Sequence, residues 1–180
     1  MKFPPSEFWN YSNSIYNHPE VENSCLKLQD KYQADINILL YCCWTGQKQI
    51  SLSENDIKIL INISQPWQTN ILSHLRSARK TLKISTVVIQ KELREQAHKN
   101  ICEMELNAEH MNQLALEKAI NLKKKSRNKK SDVIDCVTHN LNLYCQQLET
   151  VSSTEHIHAE LNNIIDTLFN NNTQTSQATG

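Results

Sequence analysis

Four basic side chains at helical spacing are the residues best suited to chemistry. They are Arg76, Arg79, Lys80 and Lys83. Positions i, i+3, i+4 and i+7 share one face of a helix, and planar guanidinium groups suit two-point binding of a carboxylate or phosphate. Three interpretations stay open: a solvated face, internal pairing with Asp30 and Asp35, or contact with an external anion or partner.

A polar group stands earlier, at a predicted corner between two helices. Its members are Gln29, Asp30, Asp35 and Asn37. Two acids five residues apart could coordinate a cation or place a general acid beside a base. No second acidic motif accompanies them, and Asp35 has a sufficient role as N-cap of the next helix. We therefore favour a structural role for this corner.

The sequence contains six cysteines and no C-x-x-C pair. Two spacings could hold a metal ion, namely Cys136-x-x-His139 with Cys145, and His98-x-x-x-Cys102, because each pair shares a helical face. Neither pair has a matching second pair at ligand spacing. We expect reduced structural thiols, with no metal and no other cofactor.

The segment Lys123–Lys130 contains six cations in eight residues. Such a run can bind phosphates nonspecifically, but it has no interleaved aromatic residues on which bases could stack. We prefer a solvated connector and keep weak nucleic-acid binding as an alternative. Residues 61–130 carry a local charge of +8 and residues 131–180 one of −6, although the net charge is zero. The acidic end could therefore cover the basic run.

Three tryptophans, Trp9, Trp44 and Trp67, are expected in the core. A docking groove lined by Trp9, Tyr11 and Tyr16 is the alternative.

Composition favours an all-α fold. The chain has only two glycines, which disfavours tight β turns, and its four prolines stand where helices could begin. No apolar run approaches the ~18 residues of a membrane helix. The first residues show no signal-peptide pattern. We expect a cytoplasmic protein without membrane contact.

Apolar periodicity predicts the order of the first helices. One runs from Pro19 to Lys31, and a buried one from Ile36 to Thr45 is ended by Gly46. The capping box Ser53-x-x-Asp56 opens a short helix, and another starts near Pro66. The β-branched stretch 84–89 is a weak helix former and could mark a bend.

Narrow apolar seams then predict helices over residues 93–122, 133–151 and 157–168. The seam residues are Leu93, Ala97, Ile101, Met104, Ala108, Met111, Ala115 and Leu122, then Val133, Val137, Leu141, Tyr144, Leu148 and Val151, then Ile157, Leu161, Ile164 and Leu168. The economical arrangement is an antiparallel hairpin of the first two; the alternative is that the seams face another molecule.

These patterns predict one helical domain over residues 1–170. It comprises a compact N-terminal bundle (6–90) followed by a long helical hairpin (91–170). The polar tail, 171–180, is expected to be disordered.

Three ordered runs carry a resemblance to a known family. The runs are FWxYS, CLxLQD and ADINILLYCCWxG, which together span residues 8–46. They resemble a family of small bacterial proteins catalogued as domain of unknown function 2390. The resemblance extends through Trp67 and Arg76–Lys83, and so covers residues 6–122. It implies an all-helical cytosolic protein of unknown activity and lends no catalytic residue.

For function, we expect first a non-enzymatic protein-interaction or regulatory module. It would use the Arg76–Lys83 face, with the seams supporting self-association or a protein partner. The alternative is a protein or enzyme that holds a small anionic ligand between Arg76, Arg79, Lys83 and the Gln29–Asn37 corner. That alternative requires the two regions to converge on a cavity. No Gly-rich phosphate loop, nucleophile elbow or H-E-x-x-H motif is present, so no catalytic residue is predicted.

Overall fold

A computed structural model describes residues 2–84, 90–125, 132–148 and 154–170, and in these ranges all regular structure is helical. The eight α-helices are α1 (Glu7–Tyr16), α2 (Pro19–Tyr32), α3 (Ile36–Gln47), α4 (Glu54–Trp67), α5 (Ser73–Ile84), α6 (Lys91–Ala119), α7 (Val133–Cys145) and α8 (Thr154–Asn170). The all-α prediction is confirmed. In these same ranges no helix is both long and apolar enough to cross a bilayer. Of the stretch 84–89, which could mark a bend, residues 85–89 lie outside the described residues, and so does the predicted disordered tail.

Helix α1 was not predicted by the apolar periodicity. It begins because Ser6 caps it, with Ser6 Oγ accepting the Trp9 N–H at 2.9 Å. Glu117 of α6 adds a distant acceptor, since its carboxylate receives the backbone N–H groups of Glu7 and Phe8 at 3.0 and 3.2 Å. The partial positive charge at the N-terminus of a helix also attracts an acidic side chain. Long-range capping therefore ties α1 to α6.

Helix α3 lies at the centre of the core, and every residue from Asn37 to Gly46 is buried. Asp35 caps it as predicted, since its carboxylate accepts the Asn37 N–H at 2.9 Å. Gly46 does not end the helix, which continues to Gln47, so that prediction is wrong. A Cβ at Gly46 would lie 2.5 Å from Val137 Cγ2. Glycine is needed there because α7 packs closely against α3.

Helices α4 and α5 form one continuous rod through a π-helical segment, Gln68–Leu72. The predicted capping box opens α4, with Ser53 and Asp56 bonded to each other's backbone groups. Pro66 was expected to start a helix but lies inside α4. Proline has no N–H and its ring crowds the preceding turn, and the widened π turn follows directly after it.

The predicted pairing of residues 93–122 with 133–151 is wrong. Helix α7 packs chiefly against α3, and α8 packs chiefly against α2. The core draws buried residues from seven of the helices, namely α1, α2, α3, α4, the second half of α6, α7 and α8, from Phe8 to Ile164. The apolar seams of α7 and α8 are therefore covered by α3 and α2, and α6 takes a different partner.

That partner is α5, which runs antiparallel to α6, as contacts of Arg76 with Glu109 and of Arg79 with Glu105 show. We call α5 together with residues 91–107 of α6 the arm. No residue of α5 is buried, and the buried residues of α6 begin at Ala108. Leu93 and Met104 of the predicted seam are more than half exposed, at 56% and 57%. These two residues of the seam therefore face away from the core.

Candidate functional site

A cleft of about 440 Å³ opens where the arm meets α1, α2 and α3. Its volume falls within the range of about 300–1,000 Å³ that is typical of ligand pockets. Its lining residues are Trp9, Ser12, Asn13, Tyr16, Leu26, Gln29, Asp30, Ile36, Asn37, Leu40, Arg76, Arg79, Lys80, Glu105, Leu106, Glu109 and Gln113. The lining therefore combines aromatic and aliphatic side chains, which we call the aromatic wall, with charged side chains, which we call the ionic wall.

The cleft brings together most of the two predicted site regions. From the basic stripe it receives Arg76, Arg79 and Lys80, and from the polar corner Gln29, Asp30 and Asn37. Two residues of those regions lie elsewhere. Lys83 lines a cavity between α5 and α6, and Asp35 lines a cavity of about 520 Å³ that shares Gln29 and Arg76 with the cleft. The required convergence is therefore met by six of the eight predicted residues.

The arginines of the stripe are paired inside the protein, although not with the acids considered from the sequence. Arg76 Nη2 donates to Glu109 at 2.5 Å, and Arg79 Nε donates to Glu105 at 2.7 Å. Arg76 Nε also lies 3.4 Å from Glu105. Among the described residues Asp30 and Asp35 form no salt bridge with the stripe. The partners come instead from α6.

Glu105 and Glu109 were missed by sequence reasoning. Their spacing of four residues on α6 matches the spacing of Arg76 and Arg79 on α5, so opposed rows of acid and base were present as a signal. That signal could be used only once α5 and α6 were known to be partners.

A buried relay of hydrogen bonds continues from the ion pair into the core. Glu109 accepts from Asn37 Nδ2 at 2.5 Å, and Asn37 Oδ1 accepts from Gln113 Nε2 at 2.8 Å. Because an ionised carboxylate can only accept, Asn37 must turn its amide nitrogen to Glu109. Gln113 must then donate to Asn37, which leaves its Oε1 as a buried acceptor with no partner in the described residues. The relay therefore ends at an unused acceptor on a residue that lines the cleft.

The π-helical segment places a second link beside this relay. Gln68 Oε1 accepts from Arg76 Nη1 at 3.1 Å. The carboxylate of Asp35 accepts from Ser64 Oγ, which in turn accepts from Asn112 Nδ2 at 2.8 Å. The widened turn thus positions Gln68 between the capped start of α3 and the arm.

Two partly buried carboxyl groups of this network have perturbed pKa values. Burial raises the pKa of Glu109, and the opposing attraction of Arg76 only partly offsets it. Burial also raises the pKa of Asp35 despite the hydrogen bonds from Ser64 and from the Asn37 N–H. Acids of this kind, in or beside a cleft, are able to hold or transfer a proton.

The aromatic wall is anchored by His110. The ring of Trp9 stacks on that imidazole with centroids 4.0 Å apart and planes 3° apart, and Phe3 approaches the imidazole at 4.1 Å. Trp44 is buried as expected, while Trp9 and Trp67 are partly exposed. Of the alternative groove residues, Trp9 and Tyr16 line the cleft and Tyr11 does not. His110 has no sequence signal that would have marked it.

The remaining sequence candidates lie outside the cleft. All six cysteines are free thiols, and the described residues contain no group of three or more His, Cys, Asp or Glu placed to hold a metal ion. His139 lies 3.0 Å from the Leu52 carbonyl oxygen instead of joining Cys136. Within the basic run, Lys125 pairs with Asp56, and residues 126–130 lie outside the described ranges.

Comparison with protein families gives one match. The model of a family described as "Protein of unknown function (DUF2390)" matches residues 7–116, which run from the first residue of α1 to near the end of α6. Comparisons with curated proteins and with solved structures found no match.

Proposed function

The chain belongs to the DUF2390 family of proteins of unknown function, and we propose that it binds a small organic molecule of low net charge in the cleft. The observation that carries this proposal is the convergence of the aromatic wall and the paired ionic wall on one cavity. Every lining residue lies between Trp9 and Gln113, within the part of the chain that the family model matches.

The charges in the cleft argue for a ligand of low net charge. Three cations and three acids line it, and both arginines are already paired with glutamates. A strongly anionic ligand would have to displace Glu105 or Glu109 and leave a desolvated carboxylate behind. The proposed ligand is therefore uncharged or zwitterionic, and not the small anion that was considered from the sequence.

The apolar wall favours a ligand with a flat or aliphatic body. Tyr16, Leu40 and Leu106 offer contact area on that side, and Leu106 is 56% exposed. The charged side chains of the ionic wall favour a ligand that also carries a polar edge. An amphipathic molecule of low net charge meets both requirements.

A matched pair of variants on α1 tests this proposal. Asn10 and Asn13 are both exposed, and Asn13 lines the cleft whereas Asn10 does not. We expect Asn13→Trp to fill the cleft and to abolish saturation-transfer NMR signals from a library of uncharged aromatic fragments. Asn10→Trp should leave those signals intact. Fragments that bind both variants equally, or that fail to bind the wild type, would refute ligand binding in the cleft.

We propose as a second candidate that the arm contacts a protein, either a partner or another copy of this chain. The specific observation is its exposed apolar side chains, Ile84, Leu93 and Met104, which are 71%, 56% and 57% exposed. Lys80 and Lys83 are exposed beside them. Several large exposed apolar side chains on one part of a protein favour an interaction surface.

Sedimentation and capture experiments together test whether the arm is an interface. Leu93→Gln/Met104→Gln should lower the average mass of the protein at high concentration if copies associate through the arm. If the wild type is monomeric, a partner captured from native cytosol should be lost from the same variant. Ile134→Gln, at an exposed apolar residue of α7, is the control. Identical mass and identical captured proteins for all three chains would exclude the arm as an interface.

A further inference from the structure

We propose that the chain carries a second binding site, which takes a neutral polyhydroxylated molecule such as a sugar. The site is the cavity of about 520 Å³ that Asp35 lines, where the end of α2, the start of α3, the π-helical segment and the end of α7 meet. Its volume falls within the range of about 300–1,000 Å³ that is typical of ligand pockets. This site is additional to the cleft and does not depend on the function proposed for the cleft.

Glutamine amides dominate the polar lining of this cavity. Five glutamines line it, namely Gln29, Gln33, Gln65, Gln68 and Gln147. The side chains of Gln29, Gln65 and Gln147 form no hydrogen bond with any of the described residues. Each of these amides offers both donors and an acceptor. Three separate parts of the chain, α2, α4 and the turn after α7, therefore bring unused amides to one cavity.

The charged groups that line the cavity already have partners within the protein. Asp35 accepts from Ser64 Oγ and from the Asn37 N–H. Arg76 is paired with the acids of α6. A charged ligand would have to displace one of these partners and leave it desolvated. The cavity therefore favours an uncharged ligand.

Aliphatic side chains lie beside the amides in the lining. Ile38, Ile61 and Leu148 supply them. Tyr144 is also part of the lining, and its OH accepts the Asp35 N–H at 2.7 Å, which joins the end of α7 to the start of α3. A hydroxyl group both donates and accepts, as an amide does, so a row of hydroxyls can pair with amides in either sense. The C–H groups of a sugar ring can pack against the aliphatic side chains.

The α7 side of the cavity lies beyond residues 7–116, the part of the chain that the family model matches. This side consists of Tyr144, Gln147 and Leu148. All residues that line the cleft lie within the match. The proposed sugar site therefore depends on a segment that the family model does not cover, whereas the cleft does not.

Saturation-transfer NMR with neutral sugars tests the proposal on the full-length protein. The neutral probes are glucose, galactose, maltose and trehalose, and the charged probes are glucosamine and glucuronate. We expect saturation transfer to at least one neutral sugar and none to the two charged ones, because the charged groups of the cavity are already paired.

Two matched pairs of variants locate the binding. Gln147 lines the cavity, and its neighbour Gln146 does not. Gln147→Met should weaken binding of the sugar about fivefold in an NMR titration, which corresponds to the loss of one hydrogen bond, and Gln146→Met should leave it unchanged. Ser73 and Ser77 are both exposed on α5, and only Ser73 lines the cavity. Ser73→Trp should abolish the signal, and Ser77→Trp should preserve it.

Asn13→Trp separates this proposal from the one for the cleft. Asn13 lines the cleft and not this cavity, so sugar binding should persist in Asn13→Trp. The helical circular dichroism of each variant shows whether it is folded. The proposal would be overturned if no neutral sugar bound the wild type, if the charged sugars bound equally well, or if folded Ser73→Trp bound as the wild type does. Loss of sugar binding in folded Asn13→Trp would also overturn it, because the sugar would then lie in the cleft.

Discussion

Helices α3 and α7 meet through buried side chains, whereas partly exposed ion pairs join α5 to α6 in the arm. At the α3–α7 junction, Asn140 is fully buried and its amide bonds to Cys42 O, Thr45 Oγ1 and Ile50 O at 3.3, 3.1 and 2.9 Å. In the arm, the ion pairs of Arg76 and Arg79 are partly open to solvent. The two pairs of helices are therefore held by different forces.

This difference matters for the cleft, because residues of the buried helix α3 line one part of it and residues of the exposed helix α5 line another. Asn37 and Leu40 lie on the buried helix α3, and Arg79 and Lys80 lie on the exposed helix α5. Close packing fixes the first wall, since a dense core resists small displacements. Solvent-exposed ion pairs contribute little stability, so the second wall is the one able to adjust to a ligand.

The sharpest way to break this comparison is Gly46→Ala. Alanine is favoured over glycine within a helix by about 1 kcal/mol, so helix propensity alone predicts a gain in stability. The added Cβ would lie 2.5–2.7 Å from Val137 Cγ2, Cα and N. We instead expect a loss of at least about 3 kcal/mol in the free energy of unfolding, measured by urea denaturation, because two of these contacts are with backbone atoms that cannot rotate away.

The double variant Gly46→Ala/Val137→Ala is the control. It removes Val137 Cγ2 but leaves the contacts with Val137 Cα and N, at 2.6 and 2.7 Å. Only part of the lost stability should return. Full recovery, or a stabilising Gly46→Ala, would show that α3 and α7 are not held as closely as described.

Asn140→Ala should produce the next largest effect. Its Oδ1 also accepts the Leu52 N–H at 2.8 Å, so removing the side chain strands buried groups in α3 and in the segment after it. Each buried group left without a partner costs about 1–3 kcal/mol, and we expect a total loss of about 3 kcal/mol in unfolding free energy. Asn142→Ala, at a less buried position on the same helix, should cost under about 0.5 kcal/mol. Equal losses for the two variants would remove Asn140 as the polar anchor of the junction.

Local signals in the sequence were sufficient for one class of features and insufficient for another. Asp35 as a cap, the box at Ser53 and the buried helix α3 were predicted correctly, because each depends on residues only a few positions apart. The partner of α6 was predicted wrongly, because an apolar stripe records that a face is covered and not which helix covers it.

The candidate site shows the same limit. The stripe and the corner were recognisable as polar clusters, but their meeting in one cleft depends on how α5 is placed against α2 and α3. Glu109 and Gln113 lie more than seventy residues from Asn37 along the chain, and both form hydrogen bonds with its side chain. Such pairs carry no local signature, and a single sequence supplies no other evidence for them.

The smallest expected effect belongs to Glu109→Gln, which sharpens the comparison at the base of the arm. At neutral pH the unfolding free energy should change by less than about 0.5 kcal/mol, because burial disfavours the charge of Glu109 by more than Arg76 favours it, and glutamine can still accept from Asn37. Its dependence on pH is more informative than its size, and urea denaturation between about pH 4.5 and 7 measures it.

Because burial raises the pKa of Glu109, the folded protein binds this proton more readily than the unfolded chain does. The contribution of Glu109 to the free energy of unfolding therefore becomes less favourable as the pH rises between about 4.5 and 7, and more favourable as the pH falls. The stability of the wild type relative to Glu109→Gln should increase toward pH ~4.5.

Asp56→Asn is the control, because the pH dependence of its effect on the unfolding free energy should have the opposite sign. Burial of Asp56 is outweighed by hydrogen bonds from Lys125 and Ser53, so its pKa is lowered and the stability it contributes is lost as the pH falls. If Glu109→Gln followed the same direction as Asp56→Asn, the attraction of Arg76 would dominate over burial. The wall of the cleft on α6 would then be a fixed ion pair, and the contrast between the arm and the α3–α7 junction would fail at the position where the cleft depends on it.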